Sequence, residues 1–297
     1  RNRRQQKQGG RQVVDQVGKD GGPGRHCEQV PQLAMMLAEA AHNATEGPLA
    51  DFRMSDADRR ELWLAALLHD CGKIGTPSHI VEKATKLETI FDRIHLVDTR
   101  FEVLKRDAEI RVLQEKLALG TALTPGKAAE LDAALEAERL QLDEERNFLR
   151  RINFGNEGMR AEDQQRVLDI AEHSWRGPDG QVRKLLDDEE AGNLRIRAGT
   201  LNDAERAIIN NHIVITIRML ESLPWPKQLA RVTEFAGGHH ERMDGKGYPK
   251  GLKRDEMSVQ ARIMGIADIF EALTAKDRPY KQGMKLSQAM QIMAKFK

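Results

Sequence analysis

The sequence predicts an all-α protein, and three observations carry that prediction. Aromatic residues are only 4% of the chain while Ala, Leu, Glu, Arg and Lys abound, which favours helix over sheet. Every segment with a strong apolar pattern shows spacings of three and four rather than two. Helix-start signals also stand where such patterns begin: Ser55 before Asp56 and Asp58, and Asn202 with Glu205 three residues on.

Taken in order, residues 1–25 are basic, then glycine-rich, and predict a linker or lead-in. A helix is expected from Val30 to Ala41, with Pro31 tolerated in its first turn. A second, capped at Ser55 and apolar on nearly every side toward its end, is expected to be buried and to stop at Gly72 as a C-terminal cap. Between 84 and 152, Leu87, Ile90, Ile94, Val97, Phe101 and Leu104 form a narrow stripe. The segment GTALTPG interrupts it and LDAALEAERLQLDEERNFL resumes it, which predicts an antiparallel, coiled-coil-like helical hairpin. Its only histidine, His95, has no second ligand at helical spacing, so the hairpin is expected to project from a core and mediate self-association or signal input. Residues 155–200 predict a short helix from Ala161 to Glu172 and a turn at Gly177–Gly180 within a small hairpin. One helix is expected from Asn202 to the Pro224-Trp225-Pro226 break, another from Lys227 to Gly237, then VQARIMGIADIFEALTA, and a last one from Leu286.

Composition bounds the function. The 297 residues suffice for one large domain or two ordinary ones. Hydrophobic residues at 40% and charged residues at 31% exclude a disordered polymer, and no apolar run approaches the roughly 20 residues of a membrane span. Lys plus Arg number 47 against 46 for Asp plus Glu, a net charge of +1 that gives no case for binding nucleic-acid polymers. Cys27 and Cys71 are the only cysteines and form no CxxC pair, so a reducing, cytoplasmic setting is expected. A start at Arg1 reads as part of a longer protein, with no secretory signal.

The chemistry-bearing residues fall in three places. His69 and Asp70 end a buried apolar helix, with Lys73 one turn on; a charged pair there is costly unless paired or metal-bound. His239, His240, Glu241 and Asp244 lie within six residues, ahead of Gly245, Gly247, Tyr248 and Pro249. Adjacent histidines on a helix point about 100° apart, so one can serve each of two neighbouring metals. Asp268 is a carboxylate in an apolar helix that needs a strong partner, and His212 and His26 sit on or at the start of apolar helices. Imidazole with carboxylate and no thiolate suits iron, manganese or catalytic zinc. Glu241 and Asp244 are read as groups that orient the histidines, Asp244 equally as a turn former. His42, His79, His95 and His173 have no ligand-spaced company.

LLHDCGKIGTP (67–77), HHERMDGKGYP (239–249) and ADIFEALTAKDRPYK (267–281) together resemble the HD-GYP family of bacterial phosphodiesterases, a branch of the HD superfamily of metal-dependent phosphohydrolases. The likeness covers 26–83 and 201–297, leaving 84–200 as an insertion into an HD-type helical bundle. It implies His26, His69, Asp70, His212, His239, His240 and Asp268 as ligands of a binuclear iron or manganese centre, with Asp70 bridging and Lys73 catalytic. It also implies Tyr248, Arg278 and Lys281 as substrate contacts, with Arg278 and Lys281 at the phosphates. The implied reaction is hydrolysis of cyclic di-GMP to pGpG and onward to GMP, by a metal-activated bridging hydroxide in the output part of a bacterial signalling protein. Gly22 stands where some family members carry an acidic ligand, so two metals are expected rather than three, and Gln29 replaces a frequent arginine. Two alternatives stay open: another cyclic nucleotide or dinucleotide as substrate, and a module that binds such a molecule without cleaving it.

Overall fold

Ser55 shows how directly the caps set the helices: its hydroxyl accepts the Asp58 N–H while the Asp58 carboxylate accepts the Ser55 N–H, and a helix starts at the next residue. The computed structural model describes residues 23–155, 158–275 and 283–295. In chain order its helices are α1 (Pro23–His42), α2 (Asp56–Leu68), α3 (Ser78–Val81), α4 (Ile94–Leu119), α5 (Pro125–Asn153), α6 (Ala161–Ala171), α7 (Asp188–Leu194), α8 (Asp203–Asn210), α9 (His212–Glu221), α10 (Val232–Gly237), α11 (Val259–Thr274) and α12 (Leu286–Met293). The only sheet among the described residues pairs β1 (Ser174–Arg176) with β2 (Val182–Lys184) antiparallel, Trp175 opposite Arg183. Among the described residues the chain is all-α apart from this hairpin, and no described helix is long and apolar enough to cross a membrane.

Two compact units divide it: Arg1–Pro77 with Ala207–Lys297, and Ser78–Arg206. In the first, α1 packs on α2 and α11, and α10 packs on α2 and α9. Alanines at the crossings (Ala34 and Ala38 on α1, Ala65 and Ala66 on α2, Ala267 on α11) let the backbones approach, while Leu62, Phe235 and Met264 fill the space between. Burying one such large side chain stabilises by about 1.5–3 kcal/mol. Buried Glu61 accepts both the backbone N–H and the guanidinium of Arg231, so its charge is paired.

In the second unit α4 and α5 run antiparallel, joined by cross-helix ion pairs from Asp98–Arg150 through Lys105–Asp143 to Lys116–Asp132. Phe101, Leu142, Phe148 and Leu149 bury their side chains with Val167 and Leu186. Arg100 donates to Glu190 and to the Leu185 carbonyl, tying α4 to the segment around α7.

Several sequence expectations need correction. α1 begins at Pro23, so Pro31 lies in the helix interior rather than the first turn, and the Cys27 carbonyl loses its i+4 donor. Ile90 is 96% exposed in a loop, because α4 starts only at Ile94. That loop is fixed by buried Asn153, which accepts the Leu87 N–H and donates to Asp92, a contact no local pattern encodes. The expected helix from 202 to 223 is two helices, α8 and α9, divided at Asn211, whose N–H is shared between the carbonyls of Ala207 and Ile208. Lys227–Leu229 forms a separate 3₁₀ turn ahead of α10. Gly72 has no left-handed φ and is not a helix cap; it lies in the 3₁₀ turn Cys71–Gly75, where the backbone meets α9.

Candidate metal centre

Helix ends, rather than helix middles, deliver most of the donors. His69 follows the last residue of α2, and Asp70 leads into the turn Cys71–Gly75. His212 is the first residue of α9, His239 and His240 follow the end of α10, and His26 lies in the first turn of α1. Only Asp268 sits mid-helix, on α11. Close approach of the turn to α9 brings the first two sets together. The Gly72 N–H donates to Thr216 Oγ1 at 2.9 Å, and the same hydroxyl donates to the His69 carbonyl at 3.1 Å.

The seven residues singled out as ligands converge in two clusters that share Asp70. Asp70 Oδ2 lies 3.4 Å from His26 Nε2 and 3.5 Å from His69 Nε2, and Asp268 Oδ1 lies 3.2 Å from His26 Nε2. On the other side, Asp70 Oδ1 lies 3.3 Å from His212 Nε2, which lies 3.3 Å from His240 Nε2. Ligand atoms of His212, His239 and His240 all fall within 4.8 Å of one another, as do those of His26, His69 and Asp70. The adjacent histidines lie beyond the helix rather than on it, and both rings stand in the His212 cluster. The His239 ring also meets His69 edge-on, with centroids 4.8 Å apart.

Ring orientation shows what these clusters suit. His69, His212 and His239 each direct Nδ1 to the carbonyl three residues earlier (Ala66, Ile209 and Ala236) at 2.7, 2.5 and 2.6 Å. A carbonyl only accepts, so Nδ1 carries the proton and Nε2 presents a lone pair. These lone pairs face carboxylate oxygens and one another, and the buried His239 Nε2 has no hydrogen-bond partner. Lone pairs so arranged repel unless a cation lies among them, and nitrogen with oxygen donors fits a divalent metal pair.

Electrostatics point the same way. Burial would raise Asp70 and Asp268, but the imidazoles of His69, His212 and His26 around it hold Asp70 well below the usual carboxylate range, and those of His26 and His69 do the same for Asp268. Burial pushes His240 down to about 4 despite Asp268, and burial beside His240 and His69 pushes His239 far down, so both are neutral donors at physiological pH. His26 goes the other way: burial opposes its charge, yet bonds to Asp268, Asp70 and Glu271 raise it to about 11, as expected where anionic oxygens converge.

The other singled-out residues are placed as follows. Lys73 Nζ pairs with Asp70 Oδ2 at 2.5 Å, its side chain partly exposed at the rim. Tyr248 stacks on His240 at 4.8 Å between centroids and 21° between planes. Glu241 accepts the backbone N–H groups of Lys250 and Leu252, and Asp244 accepts that of Lys246 and pairs with Arg242. These carboxylates hold the glycine-rich loop, Asp244 as the turn former it was equally expected to be, while backbone carbonyls orient His69, His212 and His239; the reading of Glu241 as a histidine-orienting group is corrected accordingly. Arg278 and Lys281, like Gly22, lie outside the described residues. His42 accepts the Met54 N–H and His173 pairs with Glu145, and neither belongs to a ligand cluster among the described residues. Sequence reading passed over Glu271, which contacts His26 Nδ1, and Thr216. The signal for Glu271 was available as a second carboxylate one turn beyond Asp268 in an apolar helix; Thr216 had none.

An all-helical chain carrying a paired histidine–carboxylate donor site is the class these features define. A family model described as HD domain matches residues 24–181, more than half of the chain, and a second HD domain model matches 189–297. The chain belongs to the HD domain family. It is 43% identical over 97 residues to the 3′3′-cGAMP-specific phosphodiesterase 3 of Vibrio cholerae, covering 33% of this chain and 20% of that protein. It is 37% identical over 100 residues to a cyclic di-GMP phosphodiesterase of Pseudomonas aeruginosa (34% and 23%). It is 38% identical over 96 residues to one from Thermotoga maritima (32% and 26%). The matched stretch thus spans about a quarter or less of each relative.

Proposed function

We propose that this chain is the catalytic part of an HD-GYP-type phosphodiesterase that hydrolyses a phosphodiester bond of a cyclic dinucleotide, cyclic di-GMP or 3′3′-cGAMP, at a pair of divalent metal ions. The observation that carries the reading is the Asp70 carboxylate, whose two oxygens face two different histidine clusters 3.3–3.5 Å away. The relatives' names supply the substrate class, and the donor chemistry favours iron or manganese.

His26, His69, Asp70 and Asp268 would hold one ion, and His212, His239, His240 and Asp70 the other. Such a pair, when bound, supplies an activated water and offsets charge on the phosphoryl oxygens. The chain's own contribution is placement. The carbonyls of Ala66, Ile209 and Ala236 lock three rings in one tautomer, so the donors need no reorganisation during the reaction. Lys73, at the rim, can turn its ammonium from Asp70 to a phosphoryl oxygen and stabilise the charge that grows there. Tyr248, stacked on His240, would meet a base beside the donors, and the resemblance of the DRPYK segment gives Arg278 and Lys281 the phosphates as their partners. Attack of water at phosphorus with departure of the 3′ oxygen opens the ring to a linear dinucleotide such as pGpG, and a second hydrolysis gives the mononucleotide.

The test is turnover of cyclic di-GMP and 3′3′-cGAMP by purified protein loaded with Mn²⁺ or Fe²⁺, with products separated by chromatography. Metal-dependent appearance of a linear dinucleotide from either substrate is expected. Full metal occupancy with binding of both and cleavage of neither would overturn hydrolysis in favour of a binding module.

A further inference from the structure

We propose that Glu271 is a positioning residue for His26, and that α11 grips both nitrogens of that ring to build one of the two metal sites. The inference rests on the two-metal reading above and goes beyond it, because Glu271 is not among the donors.

The geometry singles His26 out. His69, His212 and His239 send Nδ1 to the carbonyl three residues back in the chain. His26 lies in the first turn of α1, and its Nδ1 instead bonds Glu271 Oε2, a group 245 residues away in the chain. Its Nε2 lies 3.2 Å from Asp268 Oδ1. Asp268 and Glu271 are three residues apart on α11, hence on the same helix face. One helix face therefore contacts both ends of one imidazole.

The chemistry of the pair gives it a task. Glu271 is 2% exposed, and a buried carboxylate is costly unless it accepts a strong hydrogen bond. The Nδ1–H of His26 is that donor, which turns Nε2 toward Asp70, Asp268 and the His69 ring. A carboxylate on the far nitrogen fixes tautomer and ring orientation and makes the near nitrogen a stronger donor. A backbone carbonyl does the first more weakly. The site nearest His26 thus depends on the docking of α1 against α11, whereas the His212 site does not.

Affinity for Mn²⁺ alone tests this without reference to turnover, measured by competition titration on the full chain, with helical circular dichroism as the check on folding. Wild type is expected to bind two ions. Glu271→Gln keeps the shape and removes the charge, so it should weaken one ion about 10–100-fold and leave the other within about threefold. His26→Ala should lose the same ion, and adding Glu271→Gln to His26→Ala should change nothing further, because Glu271 acts through that ring. Wild-type affinity for both ions in Glu271→Gln, with one ion lost in His26→Ala, would overturn the positioning role and leave the two-metal reading intact. Equal weakening by Glu271→Gln with and without His26 would also overturn it, showing an effect through the fold. Wild type that binds no Mn²⁺ would overturn the two-metal reading itself, and this inference with it.

Discussion

Replacing Gly72 with alanine inserts one methyl group where the turn after His69-Asp70 meets α9, and the structure sets the size of the consequence. That methyl would lie 2.1 Å from the His212 carbonyl oxygen and 2.5 Å from the Thr216 nitrogen. An ordinary carbon–oxygen contact is about 3.3 Å, so the turn must retreat by roughly 1.2 Å. Both neighbours are backbone atoms that cannot swing aside, and the Thr216 hydroxyl oxygen lies 2.6 Å from the methyl as well. Overpacking of this kind costs about 1–3 kcal/mol. The retreat also breaks the bonds from Gly72 N–H to Thr216 Oγ1 and from that hydroxyl to the His69 carbonyl, about 1 kcal/mol each. The total, about 3–5 kcal/mol, is a large part of an ordinary domain's stability of about 5–15 kcal/mol. Asp70 stands two residues before Gly72, so the same retreat draws Oδ1 away from His212 Nε2, and misplacement by about 1 Å costs about 10²-fold in rate. Urea denaturation, metal content and turnover should therefore all fall together in Gly72→Ala. In Thr216→Val, which keeps the spacing but loses the hydroxyl, stability should drop by about 1–3 kcal/mol with both metals retained. Wild-type stability and metal content in Gly72→Ala would refute the argument that this contact sets the distance between the clusters.

Other expectations follow from single side chains. Lys73→Ala should retain both metals and lower kcat by about 10²-fold or more, as loss of one electrostatic stabiliser does; loss of metal at unchanged specific rate would contradict this. Asn153→Ala leaves the buried Leu87 N–H without an acceptor and should cost about 1–3 kcal/mol by urea denaturation. Lys86 is buried with its ammonium on the Leu194 carbonyl, and burial pushes it from 10.5 down to about 8. Its charged form is penalised only in the folded state, so the cost, about 3 kcal/mol, is complete below pH 8 and absent above pH 10.5. Lys86→Met should therefore be more stable than wild type at pH 7, by about 2 kcal/mol once the lost hydrogen bond is subtracted, with the gain vanishing between pH 8 and 10.5. A gain independent of pH would show that charge burial is not the cause.

What the sequence made legible follows from where the information is stored. Helix starts at Ser55 and Asn202 were readable because a capping box is local, its two partners three residues apart. The hairpin turn at Gly177–Gly180 was readable for the same reason. Pro31 inside α1 and the loop position of Ile90 were not, since propensity yields there to tertiary contacts such as Asn153 with Leu87 and Asp92. The donors were readable because imidazole and carboxylate in apolar helices have few other uses. Their orientation was not: three of the five histidines are aimed by backbone carbonyls, which no side-chain motif reports, and another, His26, by Glu271, distant in sequence. Gly72 was misread because a glycine at a helix end suits both a left-handed cap and a close approach, and only the placement of α9 decides between them.

Anomalous diffraction from crystals grown with Mn²⁺ tests the central claim most directly, that the two oxygens of Asp70 serve two metal ions. Two peaks about 3.5–4 Å apart are expected, one beside His26, His69 and Asp268 and the other beside His212, His239 and His240, with the Asp70 carboxylate between them. A single peak, or two peaks that do not share Asp70, would contradict it.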